Sequence, residues 1–356
     1  MKKAFRTSLM VMIPAVLIAP ACKKNKNSDA TDVAQLKTDI LKDVSVNVCT
    51  ASYVDMLDKA NALQTAVTAL TTTTNDANLT AARTAWKAMR VTWERSEAWL
   101  FGPVEADNID PRIDTWPVNF TDLDNILRNN DDLTEDYVDN LDDALKGFHP
   151  IEYLLWGADG NKTATSFTDN REKEYLLSLT QNLVKQTTSV KDTWSNGYNT
   201  QLATAGNGSA EFATQQDAFI QLVDAMSGIC GEVADSKLKE PFDSSDPTKE
   251  ESPFAKNSIV DFTNNIKGIM DMYQGKFNDK DGKGIEDLVR LKNLSLDAEI
   301  KNKYNTAIAA LGAITVPFGT AISTEQTKIQ NAMDKIAEFE EVLDGKLKPF
   351  LQQQVQ

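Results

Sequence analysis

The chain has 356 residues, and its 37 Lys and Arg against 52 Asp and Glu give a formal net charge of −15. Hydrophobic residues make up 41% and charged residues 25%, which is typical of a packed globular protein, and the acidic balance argues against nucleic acid as a partner. The single histidine, His149, excludes any metal site that needs two or three imidazoles, including the HExxH helix of metalloproteases.

Residues 1–21 have the layout of an export signal. A basic start is followed by an apolar run from Leu9 to Ala19, and small residues then precede Cys22. The run is too short for a convincing spanning helix. A cysteine in this position resembles a bacterial lipoprotein cleavage box, so we expect Cys22 to be lipidated and residues 22–32 to form a flexible tether. The alternative is an ordinary signal peptide with an incidental cysteine.

Apolar residues spaced three and four apart predict helices along the rest of the chain. The first stripe runs from Tyr53 to Leu70. A second stripe, from Leu79 to Leu100, is stopped by the Gly-Pro pair that follows it. An irregular acidic segment then spans residues 104–120 and contains several aspartates that are candidate oxygen ligands.

Further stripes with the same spacing lie on both sides of the Gly-rich run 205–209, which is the best candidate linker. They span residues 141–155, 176–194, 212–233, 259–273, 296–311 and 322–343. Sustained alternation with a period of two, the pattern of a strand, is missing from the sequence. We therefore predict an all-α fold of two packed helical-bundle domains, residues 33–204 and 205–356. A single large helical domain is the alternative.

One short segment, Gly147-Phe148-His149-Pro150-Ile151-Glu152, departs from the helical pattern around it. Proline inside a helix costs about 3 kcal/mol and glycine about 1 kcal/mol. Glu152 also falls on the apolar stripe, where a carboxylate is expensive to bury without a partner. His149 lies three residues earlier, on nearly the same helix face. We therefore expect a kinked helix that carries a functional site.

An imidazole and a carboxylate three residues apart can both reach one metal ion from such a helix. Because the chain offers no second histidine, the remaining ligands are expected to be oxygens, a set that suits iron, manganese or a weak zinc site. Glu97 lies beside an apolar stripe and is a candidate ligand, whereas Glu94 is expected on an exposed face. The alternative is a histidine that is simply hydrogen-bonded to its helical neighbour.

Two cysteines, Cys49 and Cys230, remain after the signal. In an oxidising envelope a bond between them would close a long loop and, in the chain-entropy model, add about 4–5 kcal/mol of stability. Two separately buried thiols are an equal alternative, so the sequence leaves the bridge undecided.

Several segments together resemble the imelysin-like family of bacterial envelope proteins, which is classed with peptidases and also linked to iron uptake. The resemblance is carried by Trp93 to Pro103, by Ile113 to Pro117 and by the GxHxxE element of residues 147–152, which is the family's signature. The later stretch from Leu238 to Gly275 is similar as well, in the family's order. The resemblance therefore covers nearly the whole chain after the export signal.

This resemblance implies a helical fold of two bundle-like halves with the signature near their interface. It implies His149 and Glu152 as a metal-binding pair, with Glu97 and Asp114 as neighbours. It also makes four residues weaker candidates for the same cleft: Arg112, Ser252, Asn257 and Asp261.

We therefore expect a lipid-anchored envelope protein, facing the periplasm or the cell exterior, that binds a metal ion or a small metal chelate. Iron is the favoured metal, zinc and manganese are the alternatives, and an envelope iron-transport component is the expected partner. A metal-dependent peptidase of the imelysin type is the enzyme alternative. Because peptide cleavage needs a firmly held ion with an open position and a general base, binding is preferred to catalysis. A non-catalytic helical interaction module is the third reading.

Overall fold

The computed structural model describes residue 1 and residues 26–355, with side chains from Asp32 onward. Residues 2–25 lie outside the described residues, and with them nearly all of the predicted export signal and the predicted lipidation site Cys22. Among the helices that are described, none combines the length and the apolar character that crossing a membrane requires.

The described residues of the first half form ten α-helices, some of them separated by short 3₁₀ turns. They are α1 (Lys26–Asp43), α2 (Ala51–Thr72), α3 (Asp76–Ser96), α4 (Pro103–Ala106), α5 (Ile109–Asp114), α6 (Phe120–Arg128), α7 (Glu135–Asp139), α8 (Phe148–Trp156), α9 (Asn170–Thr193) and α10 (Asn199–Ala203). Helix α1 therefore begins inside the stretch 22–32 that we predicted as a tether.

The described residues of the second half form eight more α-helices and one small hairpin. The helices are α11 (Gln215–Gly231), α12 (Lys239–Ser244), α13 (Ser258–Gln274), α14 (Ile285–Lys292), α15 (Leu294–Gly312), α16 (Phe318–Thr324), α17 (Gln326–Val342) and α18 (Lys348–Gln354). The antiparallel hairpin pairs β1 (Lys276–Phe277) with β2 (Lys280–Asp281). The prediction of an all-α fold is thus confirmed for the described chain.

Four short π-helical segments join neighbouring helices without a break. Residues 44–50 join α1 to α2, and residues 194–198 join α9 to α10. In the second half, residues 232–238 join α11 to α12, and residues 343–347 join α17 to α18. Such segments widen the helix locally and are found often at functional sites.

Eight of the helices pack as two rings of four, in agreement with the two bundles expected from the sequence. In the first ring α2 packs against α3 and α9, and α8 packs against the same two helices. In the second ring α11 and α15 each pack against both α13 and α17. The buried positions of α2 run from Tyr53 to Leu70 at the predicted spacing. The boundary at residues 204 and 205 stays a prediction.

The two rings meet along α3 and α13, and a glycine lets these helices approach closely. A Cβ atom on Gly268 of α13 would lie well inside 3.0 Å of the Arg95 carbonyl oxygen on α3. Real Cβ atoms essentially never come that close. The seam between the rings therefore requires a residue without a side chain at position 268.

The signature segment begins a helix, so our expectation of a kinked helix through it is wrong. Gly147 precedes α8 with a positive φ of 81°, and Pro150 is the third residue of the helix. The first four backbone N–H groups of a helix have no partner within it, so a proline costs little there. The apolar stripe 141–155 is broken by a 3₁₀ turn, Asp143–Leu145, and is not one helix.

Gly147 also brings the first turn of α8 against the end of α5. A Cβ atom at this position would lie well inside 3.0 Å of the backbone oxygen of Ile113. The positive φ and this close contact both require glycine. As a result, His149 at the start of α8 faces Asp114 at the end of α5.

Candidate metal centre

A buried arginine organises the seam between the two rings. Arg90 on α3 is completely buried, and its guanidinium contacts carboxylates from four different segments. These are Glu94 one turn along α3, Asp114 on α5, Glu251 at 2.8 Å and Asp261 at 3.6 Å. Burial alone would lower the pKa of Arg90, but these four carboxylates outweigh it and raise the pKa, so the guanidinium stays charged.

The only histidine lies next to this cluster and is also completely buried. His149 Nε2 is 3.1 Å from Asp114 Oδ1 and 3.7 Å from Glu251 Oε1. Despite the short distance, Nε2 makes no hydrogen bond of normal geometry to any described residue. Burial favours neutral imidazole, but the contacts with Asp114 and Glu152 outweigh it and raise the pKa of His149 to about 9.

The signature carboxylate, Glu152, holds the other side of the imidazole. Its Oε2 lies 3.4 Å from His149 Nδ1, and its Oε1 accepts a hydrogen bond of 2.7 Å from the backbone N–H of Ala255. A carboxylate on the remote ring nitrogen is the usual way in which a metal-ligating histidine is oriented. Glu152 therefore orients His149 and ties α8 to the second half of the chain.

Two groups of side chains bring potential ligand atoms close together. The ligand atoms of Asp114, His149 and Glu251 all lie within 4.8 Å of one another. Those of Glu94, Glu97 and Asp114 meet the same limit, so the two groups share Asp114. Because burial dominates, the pKa of Glu94 is raised to about 8, and that of Glu97 is raised as well.

A cleft of about 230 Å³ leads from the surface to these carboxylates. Asp114, Glu251 and Glu97 line it, together with Lys237. Trp116 also lines the cleft, and its ring lies 4.9 Å from the His149 ring between centroids. The cleft therefore gives access to the carboxylates while Arg90 and His149 stay behind them.

The candidates from the second half of the chain form a buried group in which Ser252 and Asn257 are hydrogen-bonded to Asp261. This carboxylate accepts hydrogen bonds of 2.6 Å from Ser252 Oγ and 2.8 Å from Asn257 Nδ2. Burial, partly offset by Arg90, raises the pKa of Asp261 to about 6. Arg112 makes no side-chain hydrogen bond or ion pair with the cluster among the described contacts; Arg90 supplies the guanidinium instead.

Four residues of the site were missed from the sequence or misjudged. Glu94 was expected to be exposed, but its side chain is 0% exposed. Its partner Arg90, four residues earlier, is the signal that could have shown this, since both ends of an i, i+4 ion pair can be buried together. Glu251 and Lys237 come from distant parts of the chain and are brought in by the fold.

The donor set fits a transition-metal cation. A completely buried imidazole nitrogen faces two carboxylates, Asp114 and Glu251, and both of these carboxylates line the cleft. One nitrogen with several oxygens suits iron or manganese, and zinc less well, because structural zinc sites use more thiolates or imidazoles. Of the described thiols, Cys49 and Cys230 are both buried and free, so neither belongs to this set.

The sequence matches known proteins over most of its length. The sequence model of the family described as imelysin, peptidase M75, matches residues 49–343. The iron-regulated protein A of Synechococcus elongatus is 28% identical over 313 residues, covering 86% of this chain and 84% of that protein.

Two crystal structures share the fold. A protein described as an iron-regulated protein A precursor, from Parabacteroides distasonis, has a TM-score of 0.79 at 22% identity, covering 90% of this chain and 95% of its own. An imelysin-like protein from Psychrobacter arcticum has a TM-score of 0.71 at 15% identity, covering 90% and 96%. At these low sequence identities, the similarity establishes a shared fold.

Proposed function

Since the chain belongs to the imelysin family, we propose that it binds a transition-metal cation with Asp114, His149 and Glu251 as ligands. The observation that carries this proposal is the convergence of three ligand atoms: the buried Nε2 of His149 lies 3.1 Å from Asp114 and 3.7 Å from Glu251, and all three atoms lie within 4.8 Å of one another. Glu152 orients the imidazole, and Glu97 lies beside the ligands at the cleft.

We propose iron as the bound metal, with manganese and zinc as the alternatives. The donor set of one imidazole and several carboxylates suits iron and manganese. Of these two metals, we prefer iron because two relatives are described as iron-regulated proteins. When bound, the cation would be cargo, held for transfer to an envelope iron-transport component.

The size of the cleft favours a bare or hydrated ion over a metal chelate. Its volume of about 230 Å³ is smaller than the roughly 300–1,000 Å³ typical of clefts that hold drug-sized ligands. An ion with a few water molecules or one small organic acid fits this space, whereas a large chelator does not.

We also propose that the protein acts at the cell envelope, anchored by a lipid on Cys22. The support is the layout of residues 1–21, a basic start and a short apolar run that end directly before Cys22. Metabolic labelling with a clickable fatty acid tests this: the expected label disappears in Cys22→Ser. A label that persists in this variant would contradict the anchor.

Calorimetric titration of the purified chain with Fe²⁺ (without oxygen), Fe³⁺, Mn²⁺ and Zn²⁺ tests the binding site. We expect one ion per chain, and loss of binding in His149→Ala and in Glu251→Gln. Glu338→Gln is the matched control, because Glu338 is a half-buried carboxylate that pairs with two lysines, Lys303 and Lys335. No binding to the natural chain, or equal binding in the two site variants, would contradict the proposal.

The same variants separate binding from catalysis. The family description as a peptidase motivates incubation of the metal-loaded chain with an unfolded protein substrate. Cleavage that depends on metal and disappears in His149→Ala would move the conclusion from cargo binding to a metallopeptidase. Cleavage that survives both chelation and the substitution would identify a contaminating protease.

A further inference from the structure

Lys237 occupies the cleft side of the site. It lies in the π-helical segment 232–238, and its side chain is 10% exposed. Its ammonium is surrounded by four carboxylates: Glu97 at 2.9 Å, Glu251 at 3.5 Å, Glu232 at 3.7 Å and Glu94 at 3.8 Å. Three of these four also belong to the two groups of potential metal ligands.

Glu251 shows that the ammonium and a metal ion would share ligands. Its Oε1 faces Arg90 and His149, whereas its Oε2 faces Lys237. A cation bound between Asp114, His149 and Glu251 would therefore lie close to a second positive charge. In a buried site with low effective dielectric, like charges at such distances repel strongly.

The two basic residues of the site differ in their freedom to move. Arg90 is completely buried and fixed by four carboxylates behind the cleft. Lys237 lines the cleft, and a lysine carries a compact charge on a flexible stem of four carbons. Glu232, whose side chain is 50% exposed, offers the ammonium an outward partner. Lys237 can therefore leave Glu97 and Glu251 without losing all its partners.

We propose that Lys237 is a built-in counter-cation that determines which ions the site accepts. In the metal-free protein its ammonium neutralises Glu97 and Glu251, and a metal ion must displace it toward the cleft mouth. Ions that gain little from carboxylates and an imidazole do not displace it, whereas ions that bind the imidazole strongly do. This inference rests on the proposed metal binding, and it adds a residue that selects among cations.

The substitution Lys237→Met tests this selection, with Lys249→Met as the matched control. Lys249 also lines the cleft, but it pairs with the exposed Glu240 at 3.0 Å. Calorimetry with Mn²⁺ and Ca²⁺ as probes should show Mn²⁺ binding that is at least about tenfold tighter in Lys237→Met, and Ca²⁺ binding that the natural chain lacks. Lys249→Met should keep the natural affinities for both ions.

The outcomes distinguish this inference from the proposed function. If the natural chain binds Mn²⁺ through His149 and Lys237→Met binds both probes as the natural chain does, only the inference on Lys237 is wrong. If neither protein binds Mn²⁺, both are wrong. If only Lys237→Met binds Mn²⁺, the inference holds and Lys237 blocks the site to this probe.

A second measurement on the natural chain does not depend on the folding of a variant. Acylation of lysines by an amine-reactive ester, quantified by peptide mass spectrometry, reports the accessibility of each ammonium. Saturation with Mn²⁺ should increase the labelling of Lys237 several-fold and leave that of the exposed Lys239 unchanged. Equal labelling of Lys237 with and without bound Mn²⁺ would overturn the inference.

Discussion

Two interfaces of the same helical fold are built from opposite chemistry. Helices α15 and α17 pack through apolar residues, including Ile300, Leu311 and Ile336, and Tyr304 lies 6.2 Å from Phe339 between ring centroids. Helices α3 and α13 join the two rings through a buried ionic cluster of Arg90, Glu94 and Asp261, and Asn265 donates a hydrogen bond to Glu94.

The burial of the ionic interface costs more free energy than that of the apolar one. Removing charges from water costs several kcal/mol per ion, and a well-packed apolar interface of similar size is often equally stable or more stable. An apolar interface is therefore sufficient to pack two helices, and we attribute the ionic seam to the proposed metal site. The proposed site thus lies at the interface whose burial costs more free energy.

The largest effect is expected from removing the central guanidinium. Arg90→Met leaves four carboxylates without their buried partner, and breaking such a network costs about 3–5 kcal/mol. Ile336→Val in the apolar interface should cost only about 0.5–1.5 kcal/mol. Urea unfolding of both variants measures the difference. A smaller loss for Arg90→Met than for Ile336→Val would show that Arg90 does not hold the seam.

A methyl group at the start of the signature helix should separate His149 from Asp114. Gly147→Ala combines a positive φ with a clash against Ile113, so we expect a loss of about 1–3 kcal/mol and weaker metal binding. Gly228→Ala is the control, because its Cβ would meet nothing within 4 Å inside α11, and it should gain up to about 1 kcal/mol. Unfolding and titration of both variants compare the two positions; equal metal affinities would contradict this role of Gly147.

The ionic seam should also respond to pH through His149. Its pKa is about 9 in the fold, above the ordinary 6.5, so the folded state binds this proton more tightly than the unfolded chain. The resulting stability is complete below pH 6.5 and is lost as the pH rises through 9.

The expected size of this loss is about 3 kcal/mol for the metal-free protein. Glu94 titrates in the same range, so the comparison is with His149→Gln, which keeps the carboxylates and removes the imidazole. The difference in free energy of unfolding between the two proteins should shrink between about pH 6 and about pH 10. Parallel curves would show that the proton on His149 does not stabilise the seam.

The smallest effect is expected at Arg112, which the family resemblance had placed in the cleft. Its side chain is half-buried and makes no described ion pair with the cluster. Arg112→Ala should change stability by no more than about 0.5 kcal/mol and leave metal affinity unaltered. A tenfold loss of affinity would show that Arg112 acts on the site and that the seam extends further along α5.

The sequence predicts the helices well because their buried faces repeat at fixed spacing. The stripe from Tyr53 to Leu70 is buried as predicted. The prediction of one helix over 141–155 is wrong because its apolar residues belong to a bend, a 3₁₀ turn and a separate helix. Gly147 and Pro150 were taken as interruptions of a helix, although a glycine before a helix and a proline in its first turn are also signals of a start.

The site is less predictable because its members are far apart in the chain. Arg90 and Glu251 are separated by 161 residues, and periodicity contains no information on such pairs. Glu94 was expected on an exposed face, but it is completely buried. Arg90 one turn earlier, Asn265 across the seam and Lys237 at 3.8 Å make its burial acceptable.

The most direct test of the central claim is the position of a bound metal ion. Crystals of the chain grown with Fe²⁺ without oxygen should give one anomalous difference peak at the iron edge. We predict this peak within bonding distance of His149 Nε2 and of oxygens from Asp114 and Glu251. Iron bound elsewhere, with His149 still against Asp114 and no peak between them, would contradict the account.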